Sequence, residues 1–532
     1  MGILFTGRAS ILVNGAPTKE FELKRGLRQG DPLSPFLFTI VMEALHVMMA
    51  KAVEAGIYKG VVLPNGGPTI SHLFYADDAL FIGECSESNL RNLSRILRCF
   101  FVSSGLKVNF DKSKLYGVGV DIEGVKEMAG SINCQYGEFP FVYLGLPVGA
   151  QMNRITSWKA MVDKFNSKLS AWKAKSLSFA GRVTLVKSVL GSLAIYYLSL
   201  FKAPSGVINT LEGIRRKFLW GGASMVKKIR WVAWERILSP KKKGGLGVGG
   251  IRDLNLGLIA KWWRRYRQFG NQLWAKVLTS IHSGRMSCNV VPVKNAINGL
   301  WKAIVGVNKE FNKGNIDLND SIVCAVGRGD KARFWYDNWT QQGNLKNRFP
   351  LLFAKASNKE ARVCDNYSNL NAGVRWEVGW KSPLQSAQEV SDWRNLLLVL
   401  GQQALKDETD KWMWKTGRGN ADFSVRLVRS TMGESFNSAN STDLFVWSKI
   451  ATPKVNCFAW RAISGGIPTA AALAVRNVCF GDGMCILCGI EAETTDHLLV
   501  SCTFAKSVWW LICVTTRFLT KNIRLRFQCW IK

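Results

Sequence analysis

Two adjacent aspartates, Asp77 and Asp78, interrupt an otherwise apolar stretch, SHLFYADDALFIGE, Ser71 to Glu84. The flanking runs, Leu73 to Ala76 and Ala79 to Ile82, are too short for a stable helix and suit buried strands. The pattern predicts a hairpin with both carboxylates at its tip. Carboxylates on so rigid an element could hold divalent ions for phosphoryl transfer, because two-ion chemistry needs ligands fixed close together. Asp is also a common turn former, so the pair taken alone reads first as an ordinary polar turn.

The preceding stretch RGLRQGDPLSPFLF, Arg25 to Phe38, shifts that balance. Gly26, Gly30 and Pro32 mark a tight loop, Arg25 and Arg28 offer phosphate contacts, and Ser34-Pro35 opens a helix predicted to run to Ala55. The positive end of that helix faces the loop, as in sites that hold phosphate. Asn14-Gly15 predicts a hairpin turn, and Ser86 to Ser104 a second helix. Residues 1–150 therefore read as α+β, ending in a short hairpin within FPFVYLGLPVG, Phe139 to Gly149.

From Trp158 to Phe269 the apolar spacing is helical and the polar faces carry mostly Lys and Arg. The run SPKKKGGLGVGG, Ser239 to Gly250, reads as a flexible basic loop able to contact phosphate. Residues 291–443 are Trp-rich and read as irregular, with short strands and turns. The chain is 532 residues long, which suggests roughly three or four units of about 100–200 residues.

Lys and Arg number 71 against 38 Asp and Glu, a net charge of +33, and 47% hydrophobic content argues for folded units and against disorder. Such an excess favours a polyanionic partner through counterion release, although a merely basic surface would show the same total. The 13 cysteines are an odd number and mostly isolated, which suits reduced thiols inside a cell. The longest uncharged apolar stretch, Ser188 to Phe201, is shorter than the ~18–20 residues a membrane span needs, so no membrane partner is expected.

One cysteine cluster stands apart. Cys485, Cys488, His497 and Cys502 form C-x2-C-x8-H-x4-C, the donor set and spacing of a closed tetrahedral Zn2+ site with a structural role. Four ordinary buried residues are the alternative. Upstream of the cluster, Trp447, Phe458 and Trp460 alternate with Lys449, Lys454 and Arg461, as in single-strand binders, though Phe458 and Trp460 at helical spacing are expected to pack inside. His46, His72 and His282 lack metal-like neighbours.

RGLRQGDPLSP followed by FYADD resembles the palm of reverse transcriptases of plant LINE-type, non-LTR retrotransposons. The resemblance continues through GLKVNFDKSK, YLGLPVG and LSFAGRVTLVKSVL, and ends in a module similar to the reverse-transcriptase zinc-binding domain. It implies a partial palm over 1–150, thumb and basic connection over 151–290, a Trp-rich region of open role over 291–443 and the zinc-binding domain over 444–532. It also implies that Asp77 ligates catalytic Mg2+ or Mn2+, that Asp78 assists and that Tyr75 shapes the nucleotide site. Arg28, Gln29 and Gly30 would contact nucleotide or template, Lys112 would lie behind the active site, and Tyr143, Leu144 and Gly145 would grip the primer.

The implied partners are an RNA template and a DNA primer or target, and the implied setting is intracellular and nuclear. The family's upstream aspartate motif is not found here, since none of Glu20, Glu22, Asp31, Glu43 and Glu54 lies in its context. RNA-directed DNA polymerase activity is therefore expected to be missing from this chain by itself. The alternative is a non-catalytic nucleic-acid-binding protein that keeps the basic and zinc-binding surfaces.

Overall fold

The computed structural model describes residues 7–22, 27, 30–169, 176–189, 195–221, 229–282, 291–370, 373–403, 405–417, 419–436, 445–478 and 481–515. The chain divides into two compact units, one of Met1–Ala150 with Asn271–Arg285 and one of Gln151–Gly270 with Met286–Lys532. Both mix helix and sheet, an α+β organisation.

In the first unit the helix Ser34–Glu54 packs beside Glu87–Ser104. Their shared core is Leu45, Met49, Ala52, Tyr58, Leu97 and Phe100. The second helix begins where Ser86 accepts the Asn89 N–H and stops at Gly105, whose φ of 77° only glycine adopts cheaply. Asn14 and Gly15 both have positive φ and join Leu12–Val13 to Ala16–Pro17 through the expected tight turn. By length and composition the helix Ser34–Glu54 could cross a membrane. It carries Glu43 near its middle and contributes Leu45, Met49 and Ala52 to the core, while Phe36 and Ile40 stay exposed.

The second unit is built on a helical layer that includes Lys159–Lys168, Phe179–Val189, Ser205–Leu219 and Ile251–Gln268. A distant segment completes it. Phe445, Cys457 and Trp460 share a core with Trp158, Phe165, Phe218 and Ile251, and the Trp460 indole donates to the Gly244 carbonyl at 2.8 Å. Inside this layer the buried Glu212 carboxylate accepts from Arg215, from the Trp234 indole and from the Ile251 N–H.

The glycine-rich run 239–250 is a packed turn, contrary to the flexible loop expected. Its N–H groups at Gly245, Gly247 and Gly249 donate to Pro240, Ser239 and Leu238, and Leu246 and Val248 are buried. Gly245 lies so close to the Ser239 carbonyl that a Cβ would collide with it. The glycines here allow close backbone approach, and Lys241 stacks on Trp447 at 4.1 Å.

Residues 291–443 are also more regular than expected. A three-stranded antiparallel sheet pairs Ile322–Ala325 with Lys411–Thr416 and the latter with Gly419–Asp422. The helix Ala387–Gly401 starts at a capping box in which Ser386 and Glu389 satisfy each other's backbone N–H. The tryptophans fill this region's interior. Trp335 and Trp414 are fully buried, and Trp339 and Trp376 pack at 5.8 Å.

Candidate active-site hairpin and metal centre

The two aspartates do sit at a hairpin tip. Strands His72–Tyr75 and Asp78–Phe81 pair antiparallel, with Tyr75 opposite Asp78, so Ala76 and Asp77 are the central turn residues. Ala76 has φ 51°, a left-handed conformation that costs a non-glycine residue of order 1 kcal/mol. The strands are not buried on both faces as expected. Phe74 and Phe81 turn toward the helical core while Leu73 and Tyr75 face outward, because this hairpin pairs with no third strand among the described residues and is covered on one side. Tyr75 is 64% exposed and both carboxylates are exposed.

Beneath the tip, His72 accepts or donates to Ser71 at 2.8 Å and to His46 at 2.7 Å. Burial first, and then the neighbouring His46, lower the His72 pKa. The sequence does not signal the His46 contact, since that residue lies on the helix Ser34–Glu54, whereas Ser71 is the chain neighbour of His72.

The YLGL hairpin has the same construction. Phe141–Tyr143 pairs with Leu146–Val148, and Leu144 and Gly145, with φ 49° and 77°, form its turn. Burial and then the Asp78 carboxylate raise the Tyr143 pKa, so this phenol lies within electrostatic range of the aspartate tip. Gly30, φ 87°, precedes the helix, where the Asp31 side chain accepts the Leu33 N–H. Lys112 is exposed on a turn held by its N–H to Asn109. Among the described residues no hydrogen bond or ion pair ties Lys112 or Gly30 to the aspartates. Arg28 and Gln29 lie outside the described residues.

The Cys/His cluster converges fully. Ligand atoms of Cys485, Cys488, His497 and Cys502 all lie within 4.8 Å of one another, and three of the four residues are buried. Cys485 and Cys502 sulfurs are 4.0 Å apart, near the ~3.8 Å expected between two thiolates on one tetrahedral Zn2+. A knuckle turn closes from the Gly489 N–H to the Cys485 carbonyl, with Gly489 at φ 65°. One wide turn, His497–Ser501, then ends in a Cys502 N–H to His497 carbonyl bond that brings the last two ligands together.

His497 turns Nε2 toward Cys488 at 3.2 Å and Nδ1 toward Glu491 at 2.7 Å. Glu491 thus fixes the imidazole so that the other nitrogen is free to ligate, the arrangement usual around bound zinc. Backbone N–H groups of Ile490 and Glu491, with His497, hold the Cys488 thiol down at about 6, which favours the thiolate a metal needs. Glu491 was not legible from ligand spacing. A carboxylate three residues after the second cysteine is its only mark.

Of the aromatics upstream, Trp460 is buried as expected. Phe458 is not, at 51% exposure, because it lies on the solvent side of the helix Pro453–Ile463, and Arg461 covers Phe179 and Trp220 instead.

Two family comparisons match the chain. Residues 3–150 match reverse transcriptase (RNA-dependent DNA polymerase), and residues 423–509 match zinc-binding in reverse transcriptase. A putative ribonuclease H protein of Arabidopsis thaliana is 29% identical over 66% of this chain and 54% of its own length, so the chain spans about half of that relative. An uncharacterized mitochondrial protein of the same plant is 38% identical over 20% of this chain and 88% of itself. The retrovirus-related Pol polyprotein of a type-2 retrotransposable element of Drosophila melanogaster is 26% identical over 46% of this chain and 23% of its own. Reverse-transcriptase domain, zinc-binding domain and retrotransposable-element relatives agree, and the chain is a reverse transcriptase domain-containing protein similar to those of non-LTR retrotransposons.

Proposed function

We propose that this chain is the template- and primer-handling part of an RNA-directed DNA polymerase and does not extend a primer by itself. Residues 1–150 act as a partial palm, 151–290 as thumb and basic connection, and 444–532 as a domain stabilised by Zn2+ at Cys485, Cys488, His497 and Cys502. Asp77 and Asp78 are hard oxygen donors of the kind Mg2+ or Mn2+ prefers. Ions held there would supply electrostatic stabilisation of the charge that develops in nucleotidyl transfer.

Two neighbouring carboxylates do not complete a two-ion site. The observation that supports the reading is the exposed Asp77–Asp78 hairpin tip, which lies inside the span similar to reverse transcriptase. Tyr143, Leu144 and Gly145 are the candidate primer grip, supported by the coupling of Tyr143 to Asp78. RNA and a DNA primer are the proposed partners, in the nucleus, where a DNA target lies.

The test is primer extension on an RNA template with Mg2+ or Mn2+, beside an Asp77→Ala, Asp78→Ala variant. No extension by either chain is expected. Extension by the unaltered chain that disappears in the variant would overturn the proposal.

A further inference from the structure

The sheet of the Trp-rich region opens onto a cleft of about 1040 Å³ that takes no part in either site described above. That volume lies at the upper end of ligand-binding clefts, roughly 300–1,000 Å³, and leaves room for nucleotide-sized groups. Its floor comes from the strands Ile322–Ala325 and Lys411–Thr416, and its walls from residues 338–344, 347–348, 403, 405–406 and 408–409.

Strand alternation decides what faces the cleft. In Lys411–Thr416 the buried residues are Trp412 and Trp414, so Lys411 and Lys415 stand on the opposite, open face. Lys406 and Arg348 add two further cations, and the lining acids are Asp320 and Glu408. Glu408 is already paired with Lys411 at 3.2 Å, and Asp320 accepts from the Asn338 amide at 3.5 Å. Among the described residues Lys406 and Lys415 have no acidic partner, so the cleft carries an unbalanced positive charge.

A second observation points to a ligand with donors as well as negative charge. Asn338 lines the cleft at 4% exposure. Its Nδ2 donates to the Asn319 carbonyl at 2.6 Å, whereas its Oδ1 is buried with no partner. A buried acceptor left unpaired costs about 1–3 kcal/mol, which a donor from a bound group would recover. Gly343 faces this oxygen, and even a Cβ there would stand 4.0 Å from it. Gln341, Gln342, Asn344 and Asn420 surround the same space with amides that both donate and accept.

We infer that this cleft binds single-stranded nucleic acid, with Lys406, Lys415 and, released from its exposed pair with Glu408, Lys411 on phosphates and Asn338 with its neighbouring amides on base edges or sugar hydroxyls. A paired strand would present edges already engaged, so splayed single-stranded nucleotides match the amide wall better than a duplex. The inference deepens the proposed function, since it rests on the chain handling nucleic acid, and gives residues 291–443 a part in it.

The experiment titrates the full chain into labelled single-stranded RNA and DNA of one sequence across a range of salt concentrations. The variants are Lys406→Gln/Lys411→Gln/Lys415→Gln and a control, Lys276→Gln/Lys309→Gln/Lys381→Gln, which removes equal charge from exposed positions outside the cleft. Each phosphate contact contributes about 0.7 to the slope of log affinity against log salt for a single strand, so the cleft variant is expected to lose about 2. The control is expected to keep the original slope. Tighter binding of RNA than DNA places a sugar hydroxyl at the amide wall, and equal binding places base edges there; both support the cleft.

An unchanged slope in the cleft variant, or equal losses in both variants, overturns the inference and leaves nucleic-acid handling standing. No salt-sensitive binding by the unaltered chain overturns both. Ultraviolet crosslinking supplies an independent readout. Crosslinked peptides drawn from 338–348 and 403–420 support the site, and crosslinks confined elsewhere refute it.

Discussion

Asp410 offers a quantitative test of how the Trp-rich region is held together. Its carboxylate is 1% exposed and accepts four backbone N–H groups, from Gly327 and Gly329 on Oδ1 at 2.8 and 2.9 Å, and from Lys331 and Ala332 on Oδ2 at 2.9 and 3.1 Å. The loop can wrap so closely because a Cβ at Gly327 would strike the Glu408 carbonyl. Asp410→Ala removes the acceptor for all four donors at once. At about 1–3 kcal/mol for each buried donor left unpaired, the loss is about 4 kcal/mol even at the low end. That approaches the whole stability of an ordinary domain, about 5–15 kcal/mol. Asp410→Asn keeps one oxygen and turns an amide NH2 against two N–H donors, so about half the loss is expected. Urea unfolding followed by the fluorescence of the buried Trp335, Trp412 and Trp414 measures both. A loss under about 1 kcal/mol for Asp410→Ala, or equal losses for the two variants, would refute the assignment of Asp410 as the loop's anchor.

Removing metal from the Cys/His module with a chelator is expected to expose the amide hydrogens of Cys485, Gly489 and Cys502 to exchange, and Glu491→Gln to weaken zinc affinity roughly 10–100-fold without removing a ligand. Glu310 resists ionisation through burial, but hydrogen bonds from Lys313, Lys202 and Arg252 outweigh this and bring its pKa from 4.5 to about 2. Its contribution to stability is therefore complete above pH about 4.5 and is lost as pH falls toward 2; Glu310→Gln should flatten that part of an acid unfolding curve. Glu212→Gln leaves Arg215, 0% exposed, without its charge partner, and a loss of about 3–5 kcal/mol should appear in the same urea assay.

Local chemistry in the sequence translated well into structure. Asn14-Gly15, Ser86 and Gly105 act within a few residues of themselves, and each forms the turn or cap its type favours. The four candidate metal ligands were legible for the same reason, as their spacing encodes a knuckle and a single wide turn. Most of what escaped was non-local. Ile322–Ala325 pairs with Lys411–Thr416 across a long insertion, so neither strand announces its neighbour. The Ser386–Glu389 capping box is a local signal that the Trp-rich composition obscured. The glycine run 239–250 suggested mobility by composition, whereas the observed close approach of backbone to backbone is a tertiary fact. The outward faces of Leu73 and Tyr75 mark the reverse limit, since a wholly apolar run implies two covered faces and the hairpin has one.

Trp460 reaches back to Gly244 and fills a core made mostly by residues 158–254. During synthesis that layer must wait for some two hundred further residues, about 10–40 s at ordinary elongation rates. Through that interval its apolar face has no native cover, which makes the nascent chain dependent on holding factors and sensitive to ribosome pausing. A premature stop anywhere before the helix Pro453–Ile463 should therefore deplete the soluble protein far more than the loss of a terminal module would suggest.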